Sequence, residues 1–193
     1  MDHNKSNDNN NDSRNVAFYV REANPIDLMN PGISRINVDY WTETYNAGFY
    51  LHYFLTWPDL FLVAVDPNKE IIGYIMGKVE GEGTNWHSHI TALSVDLFHR
   101  KCGIASDLMK RFEEVSNKRK AYFCDLYVRV SNQVAVEMYK KMGYVIYRRV
   151  LEYYSGDPSE DAFDMRKPLL CDVDRKSVLP APKDPIHPDE VPE

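Results

Sequence analysis

The middle of the chain has the sequence His89-Ile-Thr-Ala-Leu-Ser-Val95, followed shortly by Phe98-His-Arg-Lys-Cys-Gly-Ile-Ala-Ser106. The first segment is apolar and partly β-branched, which predicts a strand. The second segment leads into apolar residues at helical spacing, namely Ile104, Leu108, Phe112 and Val115. A strand that passes directly into an amphipathic helix indicates an α/β fold.

The junction between this strand and this helix contains Arg100-x-x-Gly103-x-Ala105. The first turn of a helix has unpaired backbone N–H groups and a positive dipole, which suit a pyrophosphate. Gly103 and Ala105 allow a ligand to approach the backbone, and Arg100 and Lys101 add positive charge. A lone glycine after a strand is more often an ordinary turn, so the prediction depends on the surrounding elements.

The surrounding elements alternate in a regular order. Apolar and alternating patterns predict strands over 16–22, 60–65, 70–78, 89–95, 121–128, 144–154 and 162–167. Helical spacing predicts helices over 25–29, 45–57, 104–115 and 134–142, with Gly143 closing the last one. Hairpins followed by β-α-β units predict a mixed sheet with helices on its faces.

Composition and charge exclude several classes of function. The chain has 193 residues and a formal net charge of −6, and it shows no basic stripe of the kind that binds nucleic acid. It also lacks an apolar run long enough to span a membrane. Cys102, Cys124 and Cys171 are odd in number and far apart, which argues against a disulfide framework and indicates an intracellular protein.

Both ends of the chain differ in composition from its centre. Residues 1–15 are rich in Asn and Asp and are expected to form a disordered extension. Residues 171–193 contain five prolines, so we expect an acidic segment that forms neither a helix nor a central strand and that is either a tail or an extended segment that docks a partner. The working domain is therefore predicted to cover residues 16–170.

Arg100-x-x-Gly103-x-Ala105 in this order of elements resembles the GNAT acetyltransferase superfamily. Longer strings are similar to one branch of it, the catalytic subunits of protein N-terminal acetyltransferases. The strings are Thr42-Glu-Thr-Tyr45, Gly73-Tyr-Ile-Met-Gly-Lys78, Trp86-His87, His89-Ile-Thr-Ala-Leu-Ser-Val95, Val128-Arg-Val-Ser-Asn-Gln-Val-Ala135, Met138-Tyr-Lys140, Gly143-Tyr144, Glu152-Tyr-Tyr-Ser155 and Glu160-Asp-Ala-Phe-Asp-Met-Arg-Lys167.

The resemblance implies a fold, a reaction and partners. The fold is α/β, with a mixed and mostly antiparallel central sheet flanked by helices. The reaction is cotranslational transfer of acetyl from acetyl-CoA, without a metal, to the α-amine of proteins beginning Met-Asp, Met-Glu, Met-Asn or Met-Gln. The partners are a large helical-repeat auxiliary subunit, the ribosome and nascent chains in the cytoplasm.

The resemblance also implies which residues contact acetyl-CoA: Leu93, Ser94, Val95, Arg100, Lys101, Gly103, Ile104, Ala105, Ser106, Asn132 and Tyr139. Tyr139 would give a proton or hydrogen bond to the departing CoA thiolate. The alternative for Tyr139 is packing in the core beside Met138 and Met142.

For the peptide, the resemblance implies contacts with Glu43, Tyr45, His89, Thr91, Tyr153 and Tyr154. Glu43, Tyr139 and Tyr154 are the candidate catalytic residues. His89 and Thr91 would recognise the second residue of the peptide, since alternate residues of a strand share a face.

The residues alone leave these assignments open. Thr91 is also an ordinary strand residue, His89 is also an ordinary surface histidine, and His87 shares the alternation. Glu43 is also a helix-capping carboxylate. Because adjacent strand residues face opposite ways, only one of Tyr153 and Tyr154 faces the peptide unless the strand bends.

Two other functions also fit. One is a GNAT enzyme for lysine or small amines, which would have an open cleft. The other is a regulatory subunit that binds acetyl-CoA without turnover. The aromatic residues between positions 45 and 57 predict, in addition, an apolar surface for a partner.

Overall fold

The computed structural model describes residues 16–29, 31–37, 41, 43–182 and 184–190. The predicted 1–15 extension and Thr42 therefore lie outside the described residues. The strands are β1 (Tyr19–Glu22), β2 (Phe61–Val65), β3 (Ile71–Glu80), β4 (His87–Val95), β5 (Phe123–Arg129), β6 (Val145–Tyr154) and β7 (Glu160–Pro168). The helices are α1 (Pro25–Met29), α2 (Pro31–Ile36), α3 (Ala47–Thr56), α4 (Ile104–Lys118) and α5 (Gln133–Lys141).

The strands form one seven-stranded sheet in the order β1-β2-β3-β4-β5-β7-β6. Its strand pairs are antiparallel except for β4 and β5, which run parallel. This mixed, mostly antiparallel sheet with helices on its faces confirms the predicted fold class. No helix in the described ranges is long and apolar enough to cross a membrane.

The parallel pair separates partway along its length. β4 and β5 pair from His87 and Phe123 as far as Ile90 and Leu126. Beyond these residues β4 continues to pair with β3, whereas β5 continues to pair with β7. The outer part of β4 therefore has one edge facing a gap in the sheet, where its backbone is available to a ligand.

A bulge lies at the start of this gap. The register of β3 and β4 passes from Met76–Ala92 to Gly77–Ile90, so Thr91 is the extra residue. Gly77 permits this geometry, since a Cβ there would lie 2.2 Å from the His89 carbonyl oxygen. The bulge changes the direction of β4 between the paired region and the gap.

One face of the sheet packs against α4 and α5. The predicted stripe of α4 is confirmed, because Ile104, Leu108, Phe112 and Val115 are all buried in one apolar cluster. Burying each such side chain stabilises the fold by roughly 1.5–3 kcal/mol. This face fixes α4 against the sheet directly after β4.

The other face packs against α2 and α3. Tyr50 and Tyr53 of α3 are buried there with Phe61 and Tyr74 of the sheet. The predicted helix was too long at its start, because α3 begins at Ala47 and Asn46 caps it by accepting a hydrogen bond from the Phe49 N–H. Tyr45 therefore precedes the helix instead of belonging to it.

The short helix α2 was not predicted. Its sequence, Pro31-Gly-Ile-Ser-Arg-Ile36, begins with two residues that ordinarily indicate a loop. Proline is nevertheless tolerated in a first helical turn, and burial of Ile33 and Ile36 in the aromatic cluster supplies the stabilisation.

Strand boundaries also differ from the prediction by a few residues. β1 begins at Tyr19 instead of Val16, because Tyr19 pairs with Val65, the last residue of β2. β4 begins earlier than predicted, at His87, because both of its neighbours pair with that residue. The ends of these strands depend on which residues of neighbouring strands pair with them, and the sequence of one segment does not contain that information.

The C-terminal tail runs along the outer edge of β6. The Ile186 N–H donates to the Arg149 carbonyl at 3.1 Å, and the Leu151 N–H donates to the Ile186 carbonyl at 2.8 Å. This parallel bridge joins Ile186 to Val150. The tail thus covers a sheet edge and forms no central strand, as predicted. The prediction that it forms no helix is wrong for one short 3-10 helix, Pro188–Glu190, which proline at its first position tolerates.

Candidate active site

A cavity of about 290 Å³ lies on the α3 side of the sheet, next to the gap between β4 and β5. Its lining consists of Glu43, Tyr45, His89, Ile90, Thr91, Tyr127, Tyr153, Tyr154 and Ser155. All six residues predicted to contact a peptide are in this list. We call this cavity the tyrosine pocket.

The floor of the tyrosine pocket comes from β4. His89 Nδ1 lies 2.9 Å from Asp125 Oδ1, and the Thr91 hydroxyl donates to the Tyr53 hydroxyl at 3.0 Å. Both side chains therefore lie on the α3 face of the sheet, as the alternation predicted, even though Thr91 is the bulged residue. His89 is a half-buried, hydrogen-bonded residue and not a free surface histidine.

The opposite wall comes from the end of β6. The register of β6 and β7 shifts between Val150 and Tyr154, and Glu152 has a φ of +50°. This bend brings both Tyr153 and Tyr154 to the pocket. From the sequence, both tyrosines could face the same side only if the strand bends, and β6 does bend at Glu152.

The two phenols differ in their contacts. The Tyr154 hydroxyl donates to the Tyr127 carbonyl at 3.1 Å, so its oxygen can only accept a further hydrogen bond. The Tyr153 ring packs on the Tyr127 ring at a centroid distance of 4.6 Å. Burial raises the pKa of Tyr153 to about 12 and also raises the pKa of Tyr154, so both are protonated at neutral pH.

An ion-pair chain forms the rim. Arg129 binds Glu43 at 2.6 Å and Glu160 at 3.2 Å, and its guanidinium lies 4.0 Å from the centroid of the Tyr154 ring. Because Asn46 is the cap of α3, Glu43 is not the capping carboxylate that the sequence left possible. Arg129 joins the segment before α3 to the start of β7.

Nine of the eleven predicted acetyl-CoA residues lie at the β4–α4 junction, outside the lining of the tyrosine pocket. Gly103 has a φ of +84° and immediately precedes α4, and an added Cβ would meet no atom of the described residues within 4 Å. Ala105 and Ser106 follow in the first turn, whose N–H groups have no partner within a helix. The open space and these donors fit a pyrophosphate.

The remaining residues of the junction differ in their exposure. Leu93 is half-buried, Ser94, Val95 and Ile104 are buried, and Lys101 is exposed. The Arg100 Nε donates to the Val95 carbonyl at 3.2 Å. Arg100 therefore contacts the backbone of the strand that faces the gap.

Tyr139 and Asn132 belong to the α5 side. Tyr139 is only 8% exposed and packs in the apolar cluster, and burial raises its pKa. It does not line the tyrosine pocket, but it is close enough to Tyr154 to raise the pKa of that residue further. The Asn132 side chain caps α5 by accepting a hydrogen bond from the Ala135 N–H at 3.2 Å.

A second, larger cavity of about 630 Å³ adjoins the tyrosine pocket and shares His89, Tyr127 and Tyr153 with it. His87 lines only this larger cavity. Its Nδ1 lies 2.6 Å from the Asn85 carbonyl oxygen, and its ring stacks on Phe123. His87 thus shares the sheet face of His89 but not the tyrosine pocket.

Three further residues at the site, Asp125, Tyr127 and Arg129, were not predicted from the sequence. These residues alternate along β5 and share one face, whereas Cys124, Leu126 and Val128 point into the apolar cluster. Polar residues at every second position of an otherwise apolar strand were the signal that could have found them. Among the described residues, no group of three or more His, Cys, Asp or Glu side chains is arranged to hold a metal ion.

Comparison with known proteins identifies the family. Residues 30–144 match the acetyltransferase (GNAT) family. The chain belongs to the GNAT acetyltransferase family. The catalytic subunit of the N-terminal acetyltransferase B complex of Arabidopsis thaliana is 54% identical over 89% of this chain and 97% of its own length.

Solved structures agree with this family assignment. Chaetomium thermophilum Naa20 in complex with a bisubstrate analogue has a TM-score of 0.81 and 42% identity, over 89% of this chain and 97% of that one. A NatB acetyltransferase complex bound to CoA and MES has a TM-score of 0.70 and 39% identity, over 78% and 99%. Within the GNAT family, this chain is a NatB-type N-terminal acetyltransferase catalytic subunit.

Proposed function

We propose that this chain acetylates the α-amine of protein N termini beginning Met-Asp, Met-Glu, Met-Asn or Met-Gln, with acetyl-CoA as the acetyl donor. The observation that carries the proposal is the tyrosine pocket, which gathers side chains from β4, β6 and the segment before α3 beside the gap in the sheet. This places a peptide-sized recess next to the backbone edge and helix start that suit the donor. No metal is required.

Acetyl-CoA would lie along the gap. The first turn of α4 after Gly103 would bind the pyrophosphate, and Arg100, Lys101 and Ser106 lie around it. Backbone groups of Leu93 and Val95, on the edge of β4 that faces away from β3, would hold the pantetheine arm and the thioester oxygen. Similar NatB and Naa20 structures bind CoA or a bisubstrate analogue.

The α-amine would attack the thioester carbon from the tyrosine pocket. An α-amine has a pKa of about 7.7–8.0, so a useful fraction is neutral at cellular pH and a strong base is unnecessary. The Tyr154 hydroxyl already donates a hydrogen bond to the Tyr127 carbonyl, so its oxygen would accept a hydrogen bond from this amine. Glu43, held by Arg129, would accept the proton through water.

Collapse of the tetrahedral intermediate breaks the carbon–sulfur bond and releases the CoA thiolate. Tyr139 would supply the proton or hydrogen bond that the thiolate needs. Its raised pKa keeps the phenol protonated, which is the state a donor requires. Asn132 would then act indirectly, by capping the helix that carries Tyr139.

His89 and Thr91 would recognise the second residue of the peptide. His89 is a donor for a carboxylate or an amide oxygen. The Thr91 hydroxyl donates a hydrogen bond to the Tyr53 hydroxyl, so its oxygen would accept a hydrogen bond from an amide N–H of the peptide. With His89 as donor and the Thr91 oxygen as acceptor, the floor of the tyrosine pocket would bind both acidic and amide side chains at the second position of the peptide.

Lysine side chains would be excluded by the walls of the pocket. Tyr45, Tyr153 and Tyr154 surround a small volume, and Ser155 begins the β6–β7 loop at its edge. A peptide would enter with its terminus first, because an internal lysine brings chain on both sides of its Cα. The alternative of an open-cleft lysine acetyltransferase is therefore disfavoured.

The auxiliary subunit would cover an apolar surface on α1 and α3. Ile26 and Met29 of α1 and Leu51 and Leu55 of α3 are all exposed. The aromatic residues predicted to form this surface are largely turned inward, with Tyr50 and Tyr53 buried, so aliphatic side chains would make the contact. Ribosome association and a cytoplasmic location would follow from this subunit.

The test is an acetylation assay with the chain alone and with its co-expressed auxiliary subunit. The peptides are Met-Asp, Met-Leu, Ser-Ala and an N-terminally blocked peptide with a lysine. We expect selective turnover of Met-Asp. Turnover of the blocked peptide would indicate a lysine acetyltransferase, and acetyl-CoA binding without turnover would indicate a regulatory subunit.

A further inference from the structure

One wall of the larger cavity comes from the C-terminal tail. Pro188 and Asp189, in the short 3-10 helix, line this cavity and are exposed. The two backbone hydrogen bonds of Ile186 with β6 place this helix, and the His187 N–H donates to Glu190 Oε2 at 2.8 Å across it. The tail is therefore held beside the cavity by its own backbone and not by the residues that line the cavity.

We propose that the larger cavity binds the third and following residues of the peptide, and that the C-terminal tail forms the outer wall of this subsite. The ligand is an extended polypeptide whose side chains differ from protein to protein. This inference rests on the proposed function, which so far uses only the first two residues of the peptide and gives the tail no part in binding.

The first step of the argument concerns the direction of the peptide. Glu43 and Tyr154, which would receive the α-amine, line the tyrosine pocket alone. His89, which would recognise the second residue, lines both cavities, as do Tyr127 and Tyr153. A peptide that runs from the amine to its second residue therefore points toward the larger cavity.

The second step concerns size. The tyrosine pocket, with about 290 Å³, would hold the first two residues of the peptide. The larger cavity has about 630 Å³, which is roughly twice that volume. It therefore has room for several further residues and lies within the range of about 300–1,000 Å³ that is usual for ligand sites.

The third step concerns charge. Besides two histidines, the larger cavity is lined by three basic and three acidic side chains: Lys78, Arg148, Arg166, Glu80, Asp125 and Asp189. Lys78 pairs with Glu80. Arg148 and Arg166 both bind Asp164, which is buried and not part of the lining. Because each of these cations already has an acidic partner, the cavity selects no single charge, which suits the varied residues that follow a protein N terminus.

The fourth step concerns the surface that the peptide would contact. The Arg166 guanidinium lies 3.8 Å from the centroid of the Tyr147 ring, and both residues line the cavity. Aromatic rings and stacked guanidinium groups offer flat faces that pack against apolar and polar side chains alike. Asp189 contributes a charge at the outer wall, so it is the position from which to test contact with the peptide.

The first experiment compares peptide lengths, with the full chain and its auxiliary subunit. One peptide is Met-Asp-Gly amide, and the other continues with four alternating alanines and serines. We expect KM to be about tenfold lower for the longer peptide with kcat nearly unchanged, because the added residues contribute binding before and during the reaction alike. Equal KM values for the two lengths would overturn the inference.

The second experiment introduces Asp189→Lys and uses two long peptides, Met-Asp-Gly followed by either three lysines or three glutamates. Competition between them gives the ratio of kcat/KM for the glutamate peptide to that for the lysine peptide. We expect Asp189→Lys to raise this ratio about fivefold, the upper end for an exposed ion pair, and by less at high salt.

Asp184→Lys is the matched control. Asp184 is an exposed residue of the same tail and lines neither cavity, so its substitution makes the same change in net charge away from the proposed subsite. It should leave the ratio as it is in the unaltered protein. If it raises the ratio as much as Asp189→Lys does, or if Asp189→Lys has no effect, the tail is not a wall of the peptide site.

Failure of this inference is distinct from failure of the proposed function. If Met-Asp-Gly amide is acetylated but neither length nor Asp189→Lys has an effect, the proposed function stands and the subsite is wrong. If neither length of Met-Asp peptide is acetylated, the proposed function is wrong, and the inference falls with it.

Discussion

The two halves of the proposed active site are built in different ways. The junction half, at β4–α4, consists of contiguous residues whose backbone and helix start would bind acetyl-CoA. The pocket half consists of side chains from several separated segments, and buried hydrogen bonds and ion pairs fix their positions. A ligand common to many enzymes suits the first kind of site, and selection of one peptide terminus requires the second.

The difference has a consequence for substitutions. A change in the junction half should alter acetyl-CoA binding equally for every peptide, because backbone contacts do not distinguish peptides. A change in the pocket half should alter the ranking of peptides. Tyr139 lies between the halves, within the apolar cluster and near Tyr154, so it should affect chemistry and neither kind of binding.

Tyr139→Phe should have the largest effect. We expect kcat to fall by about a hundredfold, the lower range for loss of a proton donor, with KM for acetyl-CoA nearly unchanged. Steady-state kinetics with Met-Asp peptide gives both values. Tyr144→Phe is the control, because Tyr144 is also buried and packs in the same apolar cluster as Tyr139. An unchanged kcat in Tyr139→Phe would show that Tyr139 only packs in the core and is not the proton donor.

His89→Ala tests the pocket half. Loss of a hydrogen bond to a charged group should lower kcat/KM for Met-Asp by about ten- to a hundredfold and for Met-Leu far less. Competition between the two peptides measures the ratio directly. His99 pairs with Asp96 at the same 2.9 Å outside the pocket, so His99→Ala should not change the ratio. If kcat/KM falls equally for both peptides, His89 does not recognise the second residue of the peptide.

Gly103→Ala tests the junction half. We expect KM for acetyl-CoA to rise by about tenfold, the equivalent of 1.4 kcal/mol, and to the same extent with every peptide. Gly83→Ala is a matched control, since both glycines have a positive φ and open space at the added Cβ. Each substitution should cost about 1–2 kcal/mol of stability. If KM for acetyl-CoA rises in both variants, the rise is not specific to Gly103, and acetyl-CoA binding at this junction is not supported.

Glu160→Gln should have the smallest effect, and it depends on pH. Burial raises the pKa of Glu160, but hydrogen bonds from Ser131 and Arg129 more than offset this, so the pKa is below its usual value. Such a carboxylate stabilises the fold above its unfolded-state pKa of about 4.3, and the contribution is lost as the pH falls through the folded-state pKa.

We therefore expect Glu160→Gln to lower the free energy of unfolding by about 1 kcal/mol at pH 7 and by progressively less below about pH 4. Urea denaturation across this pH range measures it. Glu82→Gln, at an exposed turn position, is the control and should show no such trend. A constant difference at every pH would contradict the assignment of the effect to charge.

The prediction from sequence succeeded where neighbours in the chain are neighbours in space. The strand at residues 89–95, the stripe of α4 and the glycine at the junction are all local patterns, and the structure has them where expected. It failed for α2, whose Pro31 and Gly32 indicate a loop, because burial of Ile33 and Ile36 outweighs local propensity.

The sequence also left open several features of the pocket half. Spacing could not show that Tyr153 and Tyr154 both line the tyrosine pocket, since that depends on a bend at Glu152. It could not show that Arg129 holds Glu43, because 86 residues separate them along the chain. Ion pairs between distant segments have no local signature.

The sequence by itself determined the fold class, the position of the helix start that suits acetyl-CoA and the residue types available for a peptide. It did so because hydrophobic periodicity and glycine placement are local properties that burial and backbone sterics translate directly into elements. The tertiary structure alone decided that β4 and β5 separate and that Asp125 lies against His89. Strand pairing and the burial of charge join residues far apart in the chain, so their energies exist only once the chain has folded.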